Sequence, residues 1–196
     1  LNISVTIMGE VPSEKALERN GAKAGDDIWV SGTLGDAALA LAVLQKRYKI
    51  DANEHGDAFE KWRSRLNRPQ PRVTLGMALR SIATSCIDIS DGLLADLGHI
   101  LKASNLGTVV HLEKLPMSLY HLNHLSELEI QKCLLAGGDD YELCFTAPAS
   151  KRKEIELIGK QQNILLTCIA TTSMDIDLHA MHNGTALKLS SKGYDH

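Results

Sequence analysis

The chain has 196 residues, 44% of them hydrophobic and 23% charged. That is the balance of an ordinary soluble globular domain, long enough to fold without disulfides or metal. Lys plus Arg number 21 against 24 Asp plus Glu, a net charge of −3, which argues against the basic face that nucleic acid or an anionic membrane demands. Aromatics, at 4%, are too few for a base-stacking platform, so the core must be aliphatic.

Loose alternation predicts a strand over 1–11, a loop over 12–27 and a strand over 28–31. A helix-forming run over 36–47 opens on Asp36 and closes on Lys46-Arg47, the charge order a helix dipole prefers. The polar stretch 49–57 reads as a loop and 58–66 as a short helix. Two prolines keep 67–72 extended or turned before a helix over 74–83. A strand at 86–89 breaks at Ser90-Asp91-Gly92 into a helix over 93–103. Then come a strand at 108–112, a helix at 125–135, a strand at 141–146, a helix at 151–161 and a strand at 164–170. Asn183-Gly184, between strands at 176–181 and 186–189, is the strongest hairpin signal in the chain. Strands and helices mix without strict alternation, so the expected fold is α+β: a single domain with a mixed β-sheet covered by helices.

Cys86, Cys133, Cys144 and Cys168 lie far apart in apolar runs and read as reduced and buried, which favours a cytoplasmic protein. No apolar stretch approaches the ~20 residues that span a bilayer, and no leader pattern opens the chain. Leu1 sits inside a predicted strand, which marks it as a boundary or a cut.

Two segments carry candidate chemistry. In Ile87-Asp88-Ile89-Ser90-Asp91-Gly92, strand periodicity puts Asp88 and Ser90 on one face, with Asp91 at the break and Asp96 beyond it. No Lys or Arg lies between Ser81 and Leu101. Hard oxygen ligands without a local counter-charge suit Mg²⁺, whose shell a nucleotide phosphate would complete. Spacing alone supports a helix cap at Ser90 or Asp91, with Asp88 paired to a distant Arg, at least as well. The second segment places Gly137 and Gly138 before Asp139, Asp140 and Glu142, with no basic residue from Cys133 to Ser150. Alone it reads as a polar turn with solvated acids. Two such junctions in one small domain favour a cation-dependent site.

Other features weigh less. Gly32-x-x-Gly35 precedes a helix that could hold an anion, but it lacks the P-loop ending, so tight packing explains it better. Arg68 and Arg72 could clamp phosphate or be solvated, and His121 and His124 read as surface residues. There is no nucleophile elbow and no nucleophile–base pair.

Seven segments read in order are more specific. They are Arg19-Asn-Gly-Ala-Lys-Ala-Gly-Asp26, Ile28-Trp-Val-Ser-Gly-Thr-Leu-Gly-Asp36, Arg68-Pro-Gln-Pro-Arg72, Ile87-Asp-Ile-Ser-Asp-Gly-Leu93, Asp96-Leu-Gly-His-Ile100, Gly137-Gly-Asp-Asp-Tyr-Glu-Leu143 and Lys192-Gly-Tyr-Asp-His196. The series resembles the C-terminal part of the thiamine-monophosphate kinase family. That family lies in the superfamily of aminoimidazole ribonucleotide synthetase, selenophosphate synthetase and a hydrogenase maturation factor. The resemblance implies the superfamily's C-terminal α+β domain over 1–196, and transfer of the ATP γ-phosphoryl group to thiamine monophosphate to give thiamine diphosphate.

It further implies Asp88 and Asp91 as Mg²⁺ ligands, Ser90 and Arg19 as ATP contacts, and Asp139 and Tyr194 as substrate contacts. Tyr194 suits that role as a flat face for the thiamine rings. The family usually has Glu where Asp139 stands, one methylene longer, which makes Glu142 a secondary substrate candidate. Further Mg²⁺-binding aspartates, a nucleotide segment and the main dimer interface belong to an N-terminal domain absent from these 196 residues. The fragment alone is therefore expected to be inactive and the full-length protein a homodimer. No general base is identified, which fits phosphoryl transfer to an already anionic oxygen. The rival expectations are another superfamily member with a different acceptor and a non-catalytic cation-binding or interaction domain of the same fold.

Overall fold

The computed structural model describes residues 2–48, 52–118 and 125–187. Strand β1 (Asp26–Ser31) is buried along its whole length, because it lies inside a sheet covered on both faces. Strand β2 is Ser85–Asp88, β3 Thr108–His111, β4 Leu143–Pro148, β5 Leu166–Thr171, β6 Leu178–His182 and β7 Thr185–Ala186. The larger sheet runs β2-β4-β1-β5, antiparallel throughout. The smaller one, β3-β6-β7, pairs β3 with β6 in parallel and β6 with β7 antiparallel. The fold is α+β as expected, and the mixed pairing belongs to the smaller sheet.

The helices are α1 (Asp36–Leu44), α2 (Ala52–Asn67), α3 (Val73–Leu79), α4 (Leu93–Ser104), α5 (Glu127–Ala136) and α6 (Arg152–Gln162). On one side of the large sheet, Ile28, Val30 and Ile87 pack with Leu93, Leu97, Ile100 and Leu134 of α4 and α5. On the other, Trp29 and Phe145 stack with ring centroids 6.4 Å apart, and Leu75, Leu79 and Ile155 of α3 and α6 cover them. Leu39, Trp62 and Cys133 tie α1, α2 and α5 together. All four cysteines are free thiols, three of them buried. Among the described residues, no helix is long and apolar enough to cross a membrane.

Three expectations are corrected. Residues 2–11 form no strand, and Ile3, Val5, Ile7 and Met8 are 74% to 92% exposed. Alternation supplies an apolar face, but a strand also needs a partner ladder for its N–H and C=O groups. The helix expected over 58–66 is present as part of α2, which opens earlier, at Ala52, inside the segment read as a loop; residues 52–57 carry too few apolar positions in sequence to announce that opening. Helix α3 ends at Leu79, short of 83. The Asn183-Gly184 turn forms with φ of 47° and 80°, the two positive values that a two-residue hairpin favours. Of the strand expected at 186–189, Ala186 lies in β7, and residues 188–189 lie outside the described residues.

Candidate functional site

Strand β2 ends at Asp88, and the chain turns through Ser90-Asp91-Gly92 into α4. The helix N-cap is Gly92, at φ 123°, and no side chain caps it from that position. The turn is closed by Asp96 instead, whose Oδ2 accepts the N–H groups of Ser90 at 2.9 Å, Asp91 at 3.0 Å and Gly92 at 3.2 Å. Burial raises the Asp96 carboxyl and the Asp91 charge adds to that, against the lowering effect of the three N–H groups. Neither Ser90 nor Asp91 is therefore the helix cap. Asp88 is exposed at the strand end, and no ion pair to a distant arginine reaches it among the described residues.

The second junction follows α5 and is laced directly to the first. Asp139 N–H donates to the Ser90 carbonyl at 2.9 Å, Tyr141 N–H to the Ile89 carbonyl at 2.8 Å, and Ile89 N–H to the Glu142 carbonyl at 2.8 Å. Gly138 is required by this approach, because a Cβ there would lie 2.4 Å from the Ser90 carbonyl oxygen. Side chains then alternate. Asp139 and Tyr141 remain accessible, whereas Asp140 and Glu142 are buried. Burial raises the Tyr141 phenol, as do the nearby carboxylates of Asp139, Asp88 and Asp91. One edge of the domain thus gathers Asp88, Asp91, Asp139 and Tyr141, with Ser90 in the turn between them. Tyr141 was missed by sequence reasoning; its signal was its place one residue from a Gly-Gly-Asp-Asp run.

The buried half of the second junction has a different job. Asp140 Oδ2 accepts Gly35 N–H at 2.9 Å, at the head of α1. The glycine-bounded anion position at that helix start is therefore filled by the protein's own carboxylate. Burial pushes the Asp140 carboxyl up to about 8, helped by Asp36 and Glu142 and opposed by the Gly35 N–H and Arg65. Glu142 is 0% exposed. It receives Nε and Nη2 of Arg72 at 2.7 and 2.6 Å, Nη2 of Arg65 at 2.8 Å, and the Ser31 hydroxyl. Burial alone would raise its carboxyl, but the Arg72 and Ser31 hydrogen bonds and the Arg65 charge hold it below the usual range.

Two expectations change here. The second junction is free of basic residues only along the chain, since Arg65 and Arg72 reach it from α2 and the turn before α3. Glu142, the secondary substrate candidate, has both oxygens committed to the interior, and Arg72 is bound to it rather than solvated or left to clamp phosphate.

Arg19 is exposed on a segment running beside β2, where the Glu18 carbonyl accepts Cys86 N–H at 2.8 Å. No hydrogen bond or ion pair links Arg19 to the acidic edge among the described residues. Tyr194, His121 and His124 lie outside the described residues. Among the described residues, no three His, Cys, Asp or Glu side chains stand close enough to hold a metal ion on their own.

No family model matches the chain. Over its full length it is 43% identical to the thiamine-monophosphate kinase of Salmonella typhimurium and 42% identical to that of Escherichia coli K12, and it spans 60% of the length of each. The crystal structure of thiamine-monophosphate kinase from Stenotrophomonas maltophilia K279a superposes with a TM-score of 0.80 at 43% identity, over 90% of this chain and 56% of that one. A structure of AaThiL complexed with AMPPCP and TMP superposes with a TM-score of 0.70 at 30% identity, over 92% of this chain and 54% of that one. Phosphoribosylformylglycinamidine synthase II from Thermotoga maritima, at 14% identity and a TM-score of 0.61 over 91% of this chain and 27% of that one, shares the fold alone. With these motifs, this fold and these relatives, the chain is similar over its whole length to thiamine-monophosphate kinases, of which it spans a little over half.

Proposed function

We propose that the chain is the C-terminal domain of an enzyme that transfers the γ-phosphoryl group of ATP to thiamine monophosphate. A terminal phosphate oxygen of thiamine monophosphate attacks the γ-phosphorus, the bond to the β,γ-bridging oxygen breaks, and ADP leaves with thiamine diphosphate as product. One observation carries the reading: the two glycine-bearing junctions are hydrogen-bonded to each other, which sets Asp88, Asp91 and Asp139 on one edge. A relative at 30% identity was solved with AMPPCP and TMP together.

Asp88 and Asp91 would hold Mg²⁺. The donor set fits as part of a shell: two carboxylates, one of them exposed at a strand end with no cation paired to it among the described residues, leave room for phosphate oxygens and water. Bound there, the ion would neutralise charge on the transferred phosphoryl group. Ser90 and Arg19 are assigned to ATP, and Asp139 and Tyr194 to thiamine monophosphate. Asp139 would pair with the cationic thiazolium or accept from the aminopyrimidine. No proton need be removed, so positioning suffices on this side. The remaining ligands are assigned to an N-terminal domain outside this chain. The full-length protein is read as a homodimer, and the four free thiols of this chain suit a cytoplasmic enzyme.

The test is turnover by the full-length protein with ATP, Mg²⁺ and thiamine monophosphate. Thiamine diphosphate should form, and Asp88→Asn and Asp91→Asn should each lower kcat by about 10²–10³ while the melting temperature holds. Activity on another acceptor in place of thiamine monophosphate would overturn the substrate assignment. Variants that lose stability and keep turnover would make the acids structural.

A further inference from the structure

Asp139 and Tyr141 hold φ of 67° and 49°, a left-handed conformation that non-glycine residues adopt only where the surroundings over-determine it. The surroundings here are unusually complete. Asp140, between the two, is tied to Gly35. Glu142, next in line, takes the Arg72 fork, Arg65 and the Ser31 hydroxyl at once. The Ser31 oxygen also accepts Leu143 N–H at 2.9 Å, so β1 grips both the Glu142 side chain and the backbone after it. A Cβ at Gly32 would lie 2.2 Å from Glu142 Oε1, so glycine at this position makes the room that the carboxylate occupies.

We infer that Glu142, with Arg72 and Arg65, is the positioning device that sets Asp139 and Tyr141 at the acidic edge. The inference rests on the phosphoryl-transfer reading and deepens it. Because side chains alternate through 139–142, any swing of Glu142 is passed to Tyr141 and Asp139. Arg72 is well suited to fix that swing. It follows Pro69 and Pro71, whose rings stiffen the approach, and its guanidinium meets the carboxylate through two parallel hydrogen bonds that a lysine cannot reproduce. A buried ion pair is weak evidence for stability alone, since apolar replacements often serve as well. Its value here is geometric.

The test uses the full-length enzyme and three variants. R72Q leaves Glu142 short of a cation and is expected to fold poorly. R72Q/E142Q removes both charges while keeping polar groups of similar size, and R72K keeps the charge without the fork. For both R72Q/E142Q and R72K, kcat/KM for thiamine monophosphate should fall, by up to about a hundredfold if the edge shifts by an ångström. The KM for ATP should barely move, and calorimetric binding of thiamine monophosphate should weaken in step. A folded variant of either kind, with wild-type kcat/KM for thiamine monophosphate, overturns the inference. So does an equal rise in both KM values. Failure of the wild-type enzyme to phosphorylate thiamine monophosphate would overturn the underlying reading instead.

Discussion

The Oδ2 of Asp96 lies 2.9 Å from the backbone nitrogen of Ser90 and also accepts the next two N–H groups. One carboxylate inside α4 thus organises the turn before the helix, where a capping side chain would ordinarily stand. That arrangement means that neither Ser90 nor Asp91 has to cap the helix. Asp96→Ala strands three N–H groups in a largely buried turn, and should lower stability by about 1–3 kcal/mol. Asp96→Asn retains one acceptor oxygen and should cost less. Urea denaturation of the two variants checks the order; an alanine variant within about 0.5 kcal/mol of wild type would remove Asp96 from this role.

Gly138→Ala probes the lacing of the two junctions. The added methyl would lie 2.4 Å from the Ser90 carbonyl oxygen, a backbone atom that cannot step aside. Separation of the two segments would break the Asp139 and Tyr141 N–H bonds. A stability loss of about 2 kcal/mol or more, with turnover falling further than that loss explains, is the expected result of denaturation and assay together.

Ligand removal gives a third check. In the full-length protein, AMPPCP with Mg²⁺ should raise the melting temperature, since a ligand that binds only the native state stabilises it by mass action. EDTA should abolish the increment. Asp88→Asn should abolish it as well while leaving the ligand-free melting temperature unchanged, because that side chain is exposed and carries no ion pair among the described residues. Protection that survives EDTA would detach nucleotide binding from the metal.

These sites differ in how far the sequence reveals them. Asp88 and Asp91 were legible because strand alternation and a glycine break place them at a sheet end by local rules. Glu142 was not, since its partners Arg65 and Arg72 lie 77 and 70 positions away (142 − 65 and 142 − 72). Charge neutrality in space cannot be counted along the chain. Residues 139–142 alternate in exposure, yet the outward members only acquire meaning once the backbone is seen paired to Ile89 and Ser90. Strand β1 was found because two-sided burial demands continuous apolar character; the body of α2 was found over 58–66, and only its opening at 52–57, polar in sequence, was read as loop. Residues 2–11 show the opposite error: the pattern of a strand, with no partner ladder among the described residues.

Asp140 supplies the pH prediction. Its carboxyl, pushed up to about 8 by burial from an ordinary 3.8, binds its proton more tightly in the folded state than in the unfolded one. Its contribution to stability is therefore complete below pH 3.8 and is lost as pH rises through about 8. Glu142 runs the other way. Its carboxyl is held below the usual range, so its contribution is present above that range and lost on acidification. Total stability mixes the two, and Asp140→Asn separates them. The asparagine keeps an oxygen for Gly35 N–H and imitates the neutral acid at every pH. The stability of Asp140→Asn minus that of wild type should grow between pH 4 and 8, with a slope of at most about 1.4 kcal/mol per pH unit for one proton, and then level off. Urea titrations of both proteins across that range measure it. Parallel curves would mean that Asp140 ionises as an ordinary carboxylate and that Gly35 N–H and Arg65 offset its burial in full.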